Sequence, residues 1–485
     1  MSTDGARRTR TSQRRGGPPP AAARRTAKRR GFVVGFAVVA VGLVGVSLVG
    51  AAVSTLQGPR VTATQSDPAA AVEASGSRVI LTTNQMLHKV EPSQVTVTPA
   101  TPFTVDTSGR SVGVRFTLPL HDRTAYTVTI KDVEGYGGGP ATTLATDFRT
   151  PSMDVYLLQR SSTGDTILRT GLDGKAAHVV FRHAHIEDFR ATSSHLVASV
   201  ADSAGNAHLI VTDLDGKHAR ELPMPGDGTI LDLQSADRGE LIGYTYSDAQ
   251  LGNGTARESV LYTASLKDAA ARAKPTAVPV SGTEHRIADW RFVPDTDRIL
   301  LLTYDGRLIL GGATGKGADL GTATTIDGIA RGSSKAVIER PDGMFTVDLT
   351  NGKQSPLADA TGVVGTQGVV TPLPSAGTAR PYSTIDASGV VEGTTVTIVG
   401  DDGRATPVFQ VPGTDAVVQT CASPSGRYLA VVVSPDVVNN PFDSYGLPMP
   451  HTVVTHLIDL GAKTQVSALR GFAISWCQVP PQAVQ

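Results

Sequence analysis

Residues 207–222, Ala-His-Leu-Ile-Val-Thr-Asp-Leu-Asp-Gly-Lys-His-Ala-Arg-Glu-Leu, read as one hairpin: an apolar strand, a turn at Asp215-Gly216 and a second strand. Asp-Gly is a strong hairpin signal, because both residues tolerate the positive φ that a two-residue turn demands. The unit recurs. Its turns fall at Asp173-Gly174, Asp215-Gly216, Lys267-Asp268, Thr314-Gly315, Asn351-Gly352, Asp402-Gly403 and Gly461-Ala462, at intervals of 37 to 59 residues. A hairpin repeating every 40–50 residues or so marks a β-propeller, in which each small sheet buries its faces only against its neighbours. Seven turns predict seven blades over residues 152–480.

The ends of this region fit a closed ring. It opens on Val155-Tyr-Leu-Leu158 with no innermost strand before it, and it closes on Phe472-Ala-Ile474-Ser-Trp476-Cys477, one innermost strand too many. Pairing the two removes the bare edges of an open sheet. Cys421 and Cys477 then fall at equivalent places in neighbouring blades, each three residues before a proline, and a disulfide between them would staple the closing blade. The alternative is two buried free thiols. Several units also carry a second signature: Glu187-Asp188-Phe189, Leu231-Asp232-Leu233, Ala288-Asp289-Trp290-Arg-Phe292-Val-Pro294-Asp295 and Cys421-Ala-Ser-Pro424-Ser-Gly426-Arg. The last two resemble the degenerate Trp-Ser-Pro-Asp-Gly turns of TolB-like and WD40-like propellers.

Upstream, short period-2 segments at Val79-Ile80-Leu81, Val95-Thr-Val97, Phe103-Thr-Val105, Val112-Gly-Val114-Arg-Phe116, Tyr126-Thr-Val128-Thr-Ile130 and Phe148 predict a β-sandwich over 78–151. Leu118-Pro-Leu120-His-Asp-Arg-Thr124-Ala-Tyr126-Thr-Val128-Thr-Ile130, closing on Asp147-Phe148-Arg-Thr150-Pro151, resembles the bacterial Ig-like repeat of S-layer-type surface proteins. That resemblance implies a spacer or adhesive module. Residues 58–77 are small or polar and read as a structureless linker.

Residues 1–30 carry ten Lys/Arg against Asp4 alone and read as a disordered basic tail. No charge occurs from Gly31 to Pro59, and the apolar run from Phe32 to Val53 is long enough, at about 33 Å as a helix, to cross a bilayer. Residues 31–57 are therefore read as a transmembrane signal anchor, with the basic flank in the cytoplasm and the remainder outside. A cleaved export signal, including a twin-arginine one, is the alternative, although its apolar stretch is normally shorter. Residues 481–485 form a tail.

The 44 basic and 44 acidic side chains cancel only because of the tail; beyond residue 30 the balance is 34 to 43. A body with net charge −9 argues against nucleic-acid binding, which needs a basic face. Only 11 of the basic residues are lysine, a bias of high-GC, actinobacterial-type chains.

Candidate sites are sparse, and no catalytic, cofactor or metal residue is assigned. Gly109-Arg-Ser111-Val-Gly113 fits the pattern of a nucleophile elbow, but a strand rather than a helix follows the serine. Asp188, Asp232, Asp289 and Asp327 align on four successive innermost strands. They suit turn-stabilising acceptors better than a calcium ring, because the other three blades lack the acid. His183 and His185, beside Glu187 and Asp188, would need a third ligand from elsewhere to hold a transition metal.

The lengthened loops Tyr246–Glu258 and Asp436–His451 carry more information. Both are expected to leave the ring on the face of His183 and His185, and the second displays Phe442, Tyr445 and Met449 on a proline-stiffened segment. Exposed aromatics and Met on a stiff loop are the makings of a partner surface. The expectation is an all-β chain, an Ig-like sandwich plus a seven-bladed propeller preceded by one transmembrane helix. It would bind an envelope protein or glycan through Phe442, Tyr445, Met449, His183 and His185. A propeller-fold hydrolase or lyase acting on wall polymer or peptide is the alternative.

Overall fold

The computed structural model describes Val39, Val41 and residues 57–481, apart from 237–239, 253, 271, 313–316 and 375–376. The basic tail, nearly all of the expected 31–57 anchor and residues 482–485 lie outside the described residues. Among the described residues no helix is long and apolar enough to cross a membrane.

The first unit is a β-sandwich. One sheet runs Val61–Ser66, Arg78–Thr83, Ser111–Phe116, Phe103–Ser108 in spatial order, and the other Val95–Thr98, Ala125–Val133, Thr142–Arg149. The period-2 residues Leu81, Val112, Val114, Phe116, Tyr126, Val128 and Ile130 point inward from both sheets and share one core. Ser111 sits at the start of a strand, its hydroxyl 3.1 Å from that of Thr82, and no helix follows it.

Residues 58–77 are not a linker. Val61–Ser66 pairs antiparallel with Arg78–Thr83 as an edge strand. Asp67 then caps the helix Pro68–Glu73, its carboxylate accepting from the Ala70 N–H at 3.0 Å, with proline in the first turn. Ala71 and Val72 are buried, and the Ala71 carbonyl accepts from the Leu120 N–H at 2.7 Å. All six residues of the edge strand are exposed, so backbone pairing holds it and no hydrophobic alternation marks it.

Beyond Pro151 the chain folds into seven successive antiparallel sheets in a propeller-like arrangement. The first strands of sheets two to seven, Ile186–Ala191, Gly228–Ser235, Ile287–Phe292, Thr325–Ile329, Thr371–Pro372 and Ala416–Ala422, adjoin one another in sequence around the centre. In six sheets the expected turns fall between the third strand and the outermost, but Lys267-Asp268 is not a two-residue turn: it lies in a longer connection from Ser265 to Thr276 that includes the 3-10 helix Asp268–Ala270. Thr314-Gly315 lies outside the described residues, between the paired strands Arg307–Gly312 and Ala318–Thr322.

The first sheet holds only Asp154–Gln159, Asp165–Gly171 and His178–His183, and the C-terminal segment completes it. Leu158 and Phe472 exchange backbone hydrogen bonds at 2.9 and 3.0 Å, and the Ser475 N–H reaches the Tyr156 carbonyl at 3.0 Å. Residues 472–477 do not form the continuous strand expected, because Ala473 turns to φ +50° and breaks the ladder after one bridge. Cys421 and Cys477 are disulfide-bonded with their Cα atoms 5.3 Å apart, tying the last sheet to this closing segment.

The sandwich seats on the loops that join first to second strands. Tyr428 donates from its hydroxyl to the buried Asp122 carboxylate at 2.8 Å, and Arg427 reaches the Asp122 carbonyl at 3.1 Å. Ser75 donates to Asp295 at 2.8 Å. Gly332, at φ +69°, lies so close under Leu118 that a Cβ there would overlap the leucine side chain. One face of the ring is thereby occupied by the sandwich. The opposite face carries the second-to-third strand loops.

Candidate binding cleft

The site is built on that opposite face, at the seam where the seventh sheet meets the first. The loop Asp436–His451 leaves Tyr428–Ser434 and returns to Val454–Asp459. Its base is fixed by the buried Asn440, whose amide nitrogen donates to the carbonyls of Pro435 (3.0 Å) and Thr452 (2.8 Å) and whose oxygen accepts from the Thr452 N–H (2.9 Å). Within the loop, one Asp443 oxygen accepts from the Met449 N–H at 3.0 Å, and Phe442 bridges to Pro450. Met449 packs with Phe472 and Val453 in the core.

Arg160, at the end of the first sheet's Asp154–Gln159 strand, draws the loop across the seam. Its guanidinium donates to Asp443 and to the Leu447 carbonyl, both at 2.8 Å, and to the carbonyls of Glu187 (2.8 Å) and Ile186 (3.3 Å). It also lies 3.8 Å from the centre of the Tyr445 ring. The Glu187 carboxylate accepts from the N–H groups of Gly446 (3.1 Å) and Leu447 (3.0 Å) and pairs with His185 Nε2 at 2.5 Å. Burial alone would raise the Glu187 carboxyl. The Leu447 and Gly446 N–H groups, His185 and Arg160 outweigh it and hold the group below its ordinary value.

Two expectations for this loop are corrected. Met449 is not displayed; it is 1% exposed, because the chain between Pro448 and Pro450 turns its thioether inward to fill the space beside Phe472. Tyr445 packs back onto the first sheet. Its hydroxyl donates to Asp165 at 2.9 Å and its ring stacks on His185 at 3.9 Å. Burial and the Asp165 hydrogen bond push the phenol well above its usual range. His183 also turns to its own chain, with Nδ1 3.0 Å from the His185 carbonyl. The two histidines therefore do not converge. Among the described residues no group of three His, Cys, Asp or Glu side chains is placed to hold a metal ion.

Phe442 does stand out, at 48% exposure. It lines a cleft of about 670 Å³ with Gln159, Ser162, His451, Arg470 and the edge of Tyr445. A smaller cleft of about 360 Å³ adjoins it, sharing Gln159, Arg160, Ser161 and Arg470 and adding Arg182 and Val179. Arg160, Asp443 and Glu187 organise the site, and nothing local in the sequence singles out Arg160 or Asp443. The pairing crosses 283 residues and follows only from ring closure.

The four aligned aspartates lie where expected, on first strands near the centre. Asp188 accepts from the Phe189 N–H and from Arg190, Asp289 from the Trp290 N–H and Arg291, and Asp327 from the Val370 N–H. Burial raises Asp188; burial with repulsion from Asp289 and Asp188 raises Asp232 to about 6, and burial raises Asp327 to about 6.

No protein-family model matches the chain, and no curated protein sequence does. Among solved structures the chain is similar to a protein assigned as TolB from Agrobacterium tumefaciens, at 14% identity and TM-score 0.34, covering 66% of this chain and 89% of that one. It is similar to the dihydro-heme d1 dehydrogenase NirN, at 13% and 0.40, over 66% and 74% of the two chains. A Bacteroides thetaiotaomicron protein of unknown function matches at 10% and 0.34, over 77% and 95%.

Proposed function

We propose that this chain is a single-pass, membrane-anchored envelope protein. In this reading its seven-bladed β-propeller is a binding platform and its Ig-like sandwich is a spacer. The observation that carries the reading is the asymmetry of the ring. One face is taken up by the sandwich through Asp122, Ser75 and Leu118, while the other is uncovered among the described residues and holds a pre-formed cleft with an exposed Phe442. Pre-organised concave sites that combine apolar surface with a few polar groups are where binding is built. The charge-free 31–57 segment behind ten cationic residues and the Cys421–Cys477 disulfide both agree with an extracytoplasmic body.

Photo-crosslinking in intact cells tests this reading. A probe at Phe442 should give a discrete adduct, and one at Asp402, on the third-to-fourth strand turn of the sandwich-bearing face, should not. No adduct at Phe442, or the same adduct from both positions, would refute a dedicated platform on this face.

A further inference from the structure

We infer that the seam cleft takes an anionic glycan, a chain of sugars bearing acidic groups; the inference rests on reading this face as the binding surface. Charge makes the first argument. The body beyond residue 30 has 34 basic and 43 acidic side chains, yet the two joined clefts open beside Arg470 and Arg182. Both arginines are exposed, and among the described residues no carboxylate pairs with either. The acids nearby are already engaged. Asp443 holds Arg160, Glu187 holds His185 and two backbone N–H groups, and Asp165 accepts from Tyr445 and the Ile186 N–H. Of the charged side chains that line the two clefts, Arg160, Arg182 and Arg470 outnumber Asp443, and the guanidinium forks of the outer two match carboxylate or phosphate oxygens two at a time.

The lining makes the second argument. Phe442 offers an exposed flat apolar face, the surface that the C–H side of a sugar ring covers, and the hydroxyls of Ser161 and Ser162 and the imidazole of His451 ring it with polar groups. The two clefts adjoin, sharing Gln159, Arg160, Ser161 and Arg470 in their walls. An acidic peptide is the competing occupant, and extended peptides commonly take the backbone groups of an open strand. On the floor of the larger cleft the backbone groups of Leu158, Gln159 and Phe472 are spent on the fold. Leu158 and Phe472 bond to each other in both directions, Gln159 pairs with Thr166, and the Gln159 amide donates to the Arg470 carbonyl at 2.7 Å.

Titration calorimetry on the full chain in detergent, with an oligogalacturonate as probe, tests the inference. The basic tail is identical in every variant, so each probe is read as the difference between the wild-type chain and the Arg182→Gln, Arg470→Gln double variant, in which the tail's attraction for polyanions cancels. Methyl-esterifying the probe, or combining Arg182→Gln with Arg470→Gln, should each weaken binding at least tenfold. Phe442→Ala should weaken it several-fold. Polyglutamate and poly(glycerol phosphate), polyanions without sugar rings, should bind this site at least tenfold more weakly. Equal affinity for the esterified probe, no loss in the arginine double variant, or equal binding of the ring-free polyanions would overturn the inference. If Phe442 still gives a discrete protein adduct in cells while any of these holds, the platform reading survives and only the ligand class falls. Neither adduct nor oligogalacturonate binding would end both.

Discussion

Arg160→Ala isolates the contact that draws the seventh sheet's loop onto the first. The Arg160 side chain is 8% exposed and Asp443 11%, so removing the guanidinium leaves a carboxylate with little water. Breaking a buried pair from one side costs about 3–5 kcal/mol, much of it the penalty of the stranded charge. The Leu447, Glu187 and Ile186 carbonyls lose their donor as well. The loop lies at the surface, so it can escape the full penalty by lifting off; the cost then appears as local opening instead of global unfolding. We expect about 3 kcal/mol, equivalent to exchange faster by roughly a hundredfold at the amides of Gly446, Leu447 and Met449, each of which donates to Glu187 or Asp443. Hydrogen exchange read peptide by peptide is the assay. Arg160→Ala with Asp443→Asn should recover at least about 1 kcal/mol of that loss, because no uncompensated charge remains. Acceleration of less than about threefold, or a double variant as labile as the two single losses summed, would refute the pair as the loop's anchor.

Acid–base behaviour gives a second test. Asp232 is raised to about 6 in the fold, above its unfolded value, so the folded state binds more protons between about pH 4 and 6 and stability falls as pH rises through that window. Asp232→Asn should flatten that fall and stabilise the protein at pH 7 by up to about 3 kcal/mol; an unchanged pH profile in thermal unfolding would contradict it. Cys421→Ser with Cys477→Ser opens a link across 56 residues of chain, for which the loop-entropy model gives about 4 kcal/mol. The midpoint of thermal unfolding should drop accordingly, and an unchanged midpoint would mean that the closing segment is held by its other contacts alone.

Periodic features were legible. The Asp-Gly turns, the inward-facing Val and Leu of the sandwich, and the matched ends of the ring all leave a local or repeating trace in the chain, because each is set by a turn's φ angles or a strand's two faces. What left no trace was polar or long-range. The edge strand Val61–Ser66 buries nothing, so its pairing with Arg78–Thr83 depends on backbone groups that every residue carries. Met449 and Tyr445 looked like display residues because their composition is the same whether a loop is free or folded back. Arg160, 285 positions before Tyr445 in sequence, decides between the two outcomes together with Asp165, His185 and Glu187.

That decision also explains why the cleft lies where it does. A ring closed by its own two ends has one seam at which the neighbouring sheets are not joined by a continuous connection. Here the first sheet borrows Phe472 and Ser475 from the far end of the chain and holds them by a short ladder that Ala473 interrupts. On the face opposite the sandwich, Gln159–Ser162 and Arg470–Phe472 wall a cleft beside this short ladder, and the Asp436–His451 loop bridges it without filling it. The groups that pin the loop, Arg160, Glu187, Asp443 and Asp165, are bonded to one another, to His185 and to the loop's own N–H, carbonyl and hydroxyl groups. Phe442, Arg470 and Arg182 remain at the mouth. Arg160 and Asp443 also wall the cleft, but the side chains of Phe442 and the two outer arginines take no part in pinning the loop, so these three can be changed to retune binding while Arg160 and Asp443 keep the seam closed.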